Sequence, residues 1–276
     1  MAAHELQFES PSFVKRLKGM LGVDFYRLFH TPMFYIFLAI AAIIPAMILG
    51  TMGMENPQTG AVAAPLYTNV WQIIAADTPL YVVNSIAEYA NMNMVFIFGG
   101  IMVSIFIGHD YKSGYVKQLF TTHAKKQDYM MSKTISCAFA MACMCVTYLI
   151  GATAAGLLTG ISFEVNVGSL ICAVLGKMVM SLGWASLYTF LNVIFRRYFG
   201  ISIVSSFFFG TGILIIGVAA IVGNSSLLNI FLYGSSVFAC LSSSIVTVLV
   251  CFVVSIVWAV IYNVLGTRIL SKCDVY

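Results

Sequence analysis

Long apolar runs that are almost free of charged residues dominate the chain and constrain its fold more than any other feature. An α-helix needs about 20 apolar residues to cross the roughly 30 Å hydrocarbon core of a bilayer. Hydrophobic residues make up 61% of the 276 residues and charged residues only 9%, which excludes a soluble domain. We therefore predict an all-α polytopic membrane protein, with residues 1–276 forming one domain. The predicted spans are 33–49, 92–108, 130–158, 167–195, 200–222 and 245–265.

The positions of the basic residues predict how these spans are oriented. Thirteen of the fourteen Lys and Arg residues lie before the first span, between the second and third, after the fourth, or after the sixth. The other three loops contain none, so the positive-inside rule places both termini and the loop after the second span in the cytoplasm. Because the basic residues are dispersed over several loops, we expect no nucleic-acid partner.

The segment 13–29 before the first span has an amphipathic helical pattern. Apolar residues recur at helical spacing, opposed by Lys15, Arg16, Lys18 and Asp24. We predict a helix lying in the lipid headgroup plane, with a longer cytosolic helix as the alternative. The polar residues before it lack the basic start and apolar core of a signal peptide.

Three further segments carry structural predictions. The loop 52–91 has no Lys or Arg and is expected on the outer side. Gly99 and Gly100 should permit close packing of the second span. The uncharged segment 223–244 contains a short apolar stretch, 227–233, which we expect to form either a re-entrant or an interfacial helix.

The sequence contains no recognisable catalytic constellation. Zinc-protease and nucleophile-elbow motifs are missing, and the four histidines lie outside or beside the spans. The seven cysteines form no C-x-x-C pair and fall mostly inside apolar runs, where we interpret them as packing residues. We accordingly expect neither catalysis, nor a metal, nor a cofactor bound by this chain itself.

Lys177 is the one basic residue deep inside a predicted span. A lysine at the centre of a membrane helix costs roughly 2.5 to 3.5 kcal/mol on insertion scales. It should therefore face the protein interior, where it is a candidate for lining a transport pathway. The alternative is that the side chain extends outward to a lipid phosphate.

A polar segment between the second and third spans, residues 108–133, contains a short helical pattern. Tyr115, Val116, Leu119 and Phe120 would share one face of this helix. An exposed apolar face in a cytosolic loop is suited to docking in a groove of a soluble partner. The alternative is that this face rests on lipid headgroups.

The same segment carries a resemblance to a known family. Asp110-Tyr-Lys-Ser-Gly-Tyr-Val-Lys-Gln-Leu119, with Lys133 at the start of the next span, resembles the acidic-x-x-x-Gly-x-x-Lys/Arg-x-Leu pattern of type-2 ABC transporter permeases. The amphipathic first helix, the six spans and the polar-apolar segment before the last span are similar to that family in their order.

The resemblance implies a permease subunit of an exporter in the bacterial cytoplasmic membrane. Its partners would be cytosolic ATPase subunits, which bind the ATP and Mg²⁺, and a second copy of itself or a related permease. The substrate would be an amphipathic or hydrophobic compound such as a peptide, toxin or antibiotic. The residues it implicates in coupling to the ATPase are Asp110, Ser113, Gly114, Tyr115, Val116, Lys117, Leu119 and Phe120. Two other hypotheses stay open: a membrane sensor or immunity protein that binds a peptide without moving it, and a lipid-modifying enzyme.

Overall fold

The computed structural model describes residues 12–50, 69–74, 92–121, 124–164, 167–212, 230–241 and 244–272. Helices account for the secondary structure of these ranges, apart from an isolated bridge between Asn69 and Ser162, so the predicted all-α class is confirmed for them. The helices are α1 (Phe13–Phe29), α2 (Pro32–Gly50), a 3₁₀ turn (Val70–Ile73), α3 (Met94–Lys112), α4 (Tyr115–Thr121), α5 (Lys126–Thr159), α6 (Val167–Ile194), α7 (Phe199–Gly210), α8 (Leu232–Leu241) and α9 (Ile245–Lys272).

Five of the described helices, α2, α3, α5, α6 and α9, are long and apolar enough to cross a membrane. They correspond to the first four predicted spans and the sixth. The predicted fifth span, 200–222, is described only as far as residue 212, where α7 provides 12 helical residues. The count of six spans therefore stays a prediction. α3 and α5 also extend further into the segment 108–133 than predicted, which places Asp110 and Asp128 on helices.

α1 has the bounds that its amphipathic pattern predicted, and it packs along α5. Phe25 meets Phe139 of α5 edge-on, with ring centroids 5.2 Å apart. The prediction that Asp24 lies on the outward polar face was wrong, because this residue is completely buried. The position of α1 in the lipid headgroup plane stays a prediction.

Small residues allow the helices to approach closely. A Cβ on Gly99 would lie 2.8 Å from the Met141 side chain, and one on Gly100 would lie 2.7 Å from the Tyr188 ring. The predicted role of this glycine pair in close packing is confirmed. Gly151 of α5 is tighter still, since its Cβ would lie 2.1 Å from the carbonyl oxygen of Ala42 on α2.

α8 lies between α6 and α9 and covers part of the segment for which we predicted a re-entrant or interfacial helix. The start of α8 at Leu232 is beside Gly183 of α6, while Ala239 further along is beside Gly176. α8 therefore runs antiparallel to α6, beside its central turns. Just before its start, the Trp258 indole nitrogen of α9 donates to the Ile230 carbonyl at 2.8 Å, so a side chain of the protein satisfies this backbone group. This position favours the re-entrant alternative, although the predicted stretch 227–233 is described only from residue 230.

A small apolar cluster joins the helix ends on one side of the bundle. It contains Val116 of α4, Tyr129 of α5, Val193 of α6 and Leu270 of α9, with Met20 of α1 packed against it. Thirteen of the fourteen Lys and Arg residues lie on α1 or near these helix ends. We call this side of the bundle the basic end.

Candidate functional site

The turn between α3 and α4 lies in the middle of the motif Asp110–Leu119 and places this motif at the basic end. α3 ends with hydrogen bonds from the Ser113 and Gly114 amides to the carbonyls of His109 and Tyr111, at 2.9 and 3.2 Å. Gly114 then adopts φ of 74°, a left-handed conformation that glycine reaches without the steric penalty of a Cβ. The chain can therefore change direction within two residues, and α4 begins in contact with the end of α3.

Asp110, in the last turns of α3, is the centre of a buried charge network. Its Oδ2 lies 2.6 Å from Lys133 Nζ of α5, and its Oδ1 accepts a hydrogen bond from Arg27 Nη2 of α1. Asp110 and Lys133 are both completely buried. The motif's acidic residue thus connects three helices.

Asp24 of α1 completes this network. Lys133 Nζ donates to Asp24 Oδ1 at 2.6 Å, and the Ser132 hydroxyl donates to Asp24 Oδ2 at 2.5 Å. Two carboxylates and two cations, Asp24, Asp110, Arg27 and Lys133, therefore sum to zero charge. Burying charges is tolerated when they are paired and hydrogen-bonded in this way. We call these four residues the charge network.

Aromatic rings of α3 and α4 lie beside the two cations of the charge network. The Arg27 guanidinium lies 4.3 Å from the centroid of the Tyr115 ring, and Lys133 Nζ lies 4.5 Å from that of Phe106. Both distances suit cation–π attraction. Burial raises the pKa of the Tyr115 phenol, so the phenol stays neutral at physiological pH. Burial by itself lowers the pKa of Arg27, but the Asp110 carboxylate more than offsets this effect and keeps the guanidinium charged.

A second ion pair attaches α1 to the start of α5. Arg16 Nε donates to Asp128 Oδ2 at 2.7 Å, and the Asp128 side chain is only 2% exposed. α1 is thus held to α5 at two points, Asp128 and Lys133, which lie five residues apart in the first turns of α5.

The apolar face predicted on α4 exists but is not exposed. Val116 is 1% exposed and belongs to the apolar cluster of the basic end, while Leu119 and Phe120 are half-buried against that cluster. Phe120 meets the Tyr129 ring edge-on at 5.7 Å, and Tyr115 is held against Arg27. The expected exposure of this face therefore does not hold at Val116, and docking of a partner on these four residues stays a prediction. Other helices of the chain already cover this face and remove its apolar area from water.

The accessible side of α4 is polar instead. Ser113, Lys117, Gln118 and Thr121 are exposed there. Of the residues that the resemblance assigns to coupling, Asp110 and Val116 are buried, Gly114, Tyr115, Leu119 and Phe120 are intermediate, and only Ser113 and Lys117 are exposed. Any partner that contacts α4 would meet these polar side chains, and the apolar residues would hold α4 in place.

Lys177 is completely buried where α3, α6 and α8 meet. Its ammonium donates to Asn93 Oδ1 just before α3 and to the Ser236 carbonyl of α8. Nζ also lies 5.8 Å from the centroid of the Phe96 ring. In this arrangement the side chain faces the protein interior and does not extend to a lipid-facing surface. Its role in a pathway stays a prediction.

A polar cluster joins α3, α6 and α7. Along α3 it lies after Asn93, a partner of Lys177, and before Asp110 of the charge network. Ser104 and Ser206 share a hydrogen bond at 2.8 Å, and Asn192 Nδ2 donates to the Ser104 hydroxyl at 3.2 Å. Ser202 donates to Asn192 Oδ1 at 2.5 Å. Hydrogen bonds between helices favour one relative position of those helices in an apolar environment. α3 is therefore tied to α7 as well as to α1 and α5.

Three residues of these ion pairs, Asp24, Arg27 and Asp128, were not predicted to belong to a site. One signal was present, because Asp24 falls four residues after Met20 and four before Leu28, in line with the apolar stripe of α1. A carboxylate in such a stripe predicts a buried cationic partner. Within the described ranges, no group of three or more His, Cys, Asp or Glu side chains is placed to hold a metal ion.

Comparison with known proteins does not assign the chain to a family. No family model matches its sequence, and no curated protein matches it either. The fold and the geometry of the charge network are therefore the basis for any functional conclusion.

Proposed function

We propose that the chain is the membrane-spanning permease subunit of an ATP-driven exporter. A separate cytosolic ATPase would act on α4, and the substrate would be an amphipathic or hydrophobic compound such as a peptide, toxin or antibiotic. The observation that supports this proposal best is the attachment of α4 to α1, α3 and α5 around one buried, charge-balanced network.

This attachment gives α4 a way to transmit force. A buried ion pair is costly to separate, since breaking one typically costs about 3–5 kcal/mol. A push on the exposed side of α4 would therefore move Asp110 together with Lys133 and Arg27, instead of pulling them apart. α3 would carry the movement into the membrane as a rigid body.

The contacts of α3 suggest where the movement would go. A Cβ on Gly108 would lie 2.3 Å from the Phe199 ring of α7, and the Ser104–Ser206 hydrogen bond joins the same two helices. Displacement of α3 would thus shift α7. It would also move Asn93 away from Lys177 and open the space around that ammonium. Lys177 is our candidate pathway residue for this reason.

The partners in this proposal are two ATPase subunits, which hold ATP and Mg²⁺, and a second copy of this chain or a related permease. The basic end would face the cytoplasm of a bacterium, as the positive-inside rule predicts. Both termini of the chain would then be cytoplasmic.

The test is to look for a neighbouring gene that encodes an ATPase and to reconstitute its product with this chain. We expect the ATPase to co-purify with the chain, and its activity to rise when both are present in proteoliposomes. Lys117→Glu should lower this stimulation at least about tenfold, because it reverses a charge on the exposed side of α4 that would meet the partner. Lys18→Glu makes the same charge reversal on an exposed residue of α1 and should leave the stimulation unchanged.

Two outcomes would count against the proposal. If both variants stimulate the ATPase normally, α4 is not the contact surface. If no ATPase co-purifies but the chain binds a peptide, the sensor or immunity hypothesis replaces it.

A further inference from the structure

A groove of about 610 Å³ lies on the outside of the bundle between α5 and α9. Most of its lining is aliphatic, with Met131 and Ile135 of α5 opposite Ile256, Val260 and Val264 of α9. Its lining at the basic end is different, because it includes Gln127 and Arg268 there. The groove thus has an apolar body and a polar, cationic end.

The length of the groove matches one leaflet of a bilayer. Ile256 and Arg268 lie twelve residues apart on α9, which corresponds to about 18 Å at the helical rise of 1.5 Å per residue. Half of a hydrocarbon core about 30 Å thick is about 15 Å. With Arg268 at the headgroup level of the basic end, Ile256 would lie near the bilayer midplane.

The charge at the end of the groove has no counter-ion in the described part of the chain. Arg268 is exposed, and no ion pair or hydrogen bond connects its guanidinium to the described residues. Asp128 follows Gln127 directly, but its carboxylate is buried and paired with Arg16. In the middle of the groove Thr134 donates to Asn263 at 3.2 Å, so these two polar groups satisfy each other.

We propose that this groove is a binding site for an anionic phospholipid of the leaflet at the basic end. The phosphate would accept hydrogen bonds from Arg268, whose planar guanidinium suits phosphate oxygens. One acyl chain would lie against Val260 and Val264 and extend toward Ile256. A phospholipid combines a negative charge at that depth with an attached apolar chain of leaflet length, which is the combination that the groove presents. The site is independent of the proposed export function.

Native mass spectrometry of the full chain in detergent tests this site. The protein is mixed with equal amounts of phosphatidylglycerol and phosphatidylcholine of identical chain length, and the retained lipid adducts are counted. The wild-type chain should retain phosphatidylglycerol in preference. Arg268→Gln should lower this preference about fivefold, which corresponds to about 1 kcal/mol for one basic residue at an anionic headgroup. Arg197→Gln removes an equal charge from an exposed position outside the groove and should leave the preference unchanged.

A second pair of variants tests the apolar part. Val260→Trp fills the groove and should lower retention of both lipids, whereas Val257→Trp, at a similarly exposed position of α9 outside the lining, should not. The proposal is overturned if Arg268→Gln and Arg197→Gln have equal effects. It is also overturned if inorganic phosphate displaces the lipid, or if Val260→Trp abolishes a dimer of the chain without changing lipid retention.

Discussion

Replacing Lys133 with Met tests the charge network most directly. Lys133 Nζ lies 2.6 Å from both Asp24 Oδ1 and Asp110 Oδ2, so those two oxygens are at most about 5 Å apart. Without the ammonium, two buried carboxylates face each other. Their repulsion is roughly 3 kcal/mol at 5 Å and an effective dielectric constant of about 20. This agrees with the lower part of the range of about 3–5 kcal/mol for breaking a buried ion pair.

The network also predicts which second substitution restores stability. Lys133→Met leaves a net charge of minus one, with Arg27 alone opposing two carboxylates. Adding Asp24→Asn removes one of these carboxylates and leaves the Arg27–Asp110 pair balanced. The double variant should therefore recover most of the lost stability, although it has lost one more charged group than the single variant.

Thermal unfolding of the purified protein in detergent, followed by tryptophan fluorescence, measures both effects. We expect Lys133→Met to lower Tm by roughly 6 °C or more, given about 2–4 °C for each kcal/mol in a chain of this size class. Lys125→Met removes the same charge at an exposed position just before α5 and serves as the control. The reasoning is refuted if Lys133→Met is as stable as the control, or if the double variant is no more stable than Lys133→Met.

Two further substitutions test the packing and the pathway. Gly151→Ala should destabilise the protein by about 1–3 kcal/mol, because the added Cβ would overlap the Ala42 carbonyl. The control is Gly19→Ala on α1, where the added Cβ meets no atom within 4 Å and the substitution should be neutral or slightly stabilising. Equal Tm values for the two variants would contradict the α2–α5 contact. Lys177→Met should abolish the proposed export at normal protein levels, while Ser181→Ala, one turn away and bonded to the Lys177 carbonyl, should not. Normal export by Lys177→Met would remove this residue from the pathway.

Local sequence patterns were sufficient for the helices themselves. The amphipathic period of α1 predicted its bounds, and apolar runs predicted the helices that the structure has at α2, α3, α5, α6 and α9. Both signals depend only on neighbouring residues, because an α-helix satisfies its own backbone hydrogen bonds and a membrane span needs only sufficient apolar length. The glycine pair of α3 was also readable, since only small side chains permit such close contact.

Tertiary structure decided the direction in which several of these helices face. The face of Tyr115, Val116, Leu119 and Phe120 has the same period whether it is covered by a partner or by the chain itself. The structure covers it with Tyr129, Val193 and Leu270, which come from three other helices. The period of α4 contains no information about those residues.

The partners of Asp110 were equally beyond a local pattern. Its motif was recognisable within ten residues, but Arg27 lies 83 positions before it, and Asp24 lies 109 positions from Lys133. A charged residue in an apolar stripe predicts that some opposite charge is buried nearby, because an unpaired charge is costly there. Which residue supplies that charge depends on how α1, α3 and α5 pack, and only the folded chain brings those three helices together.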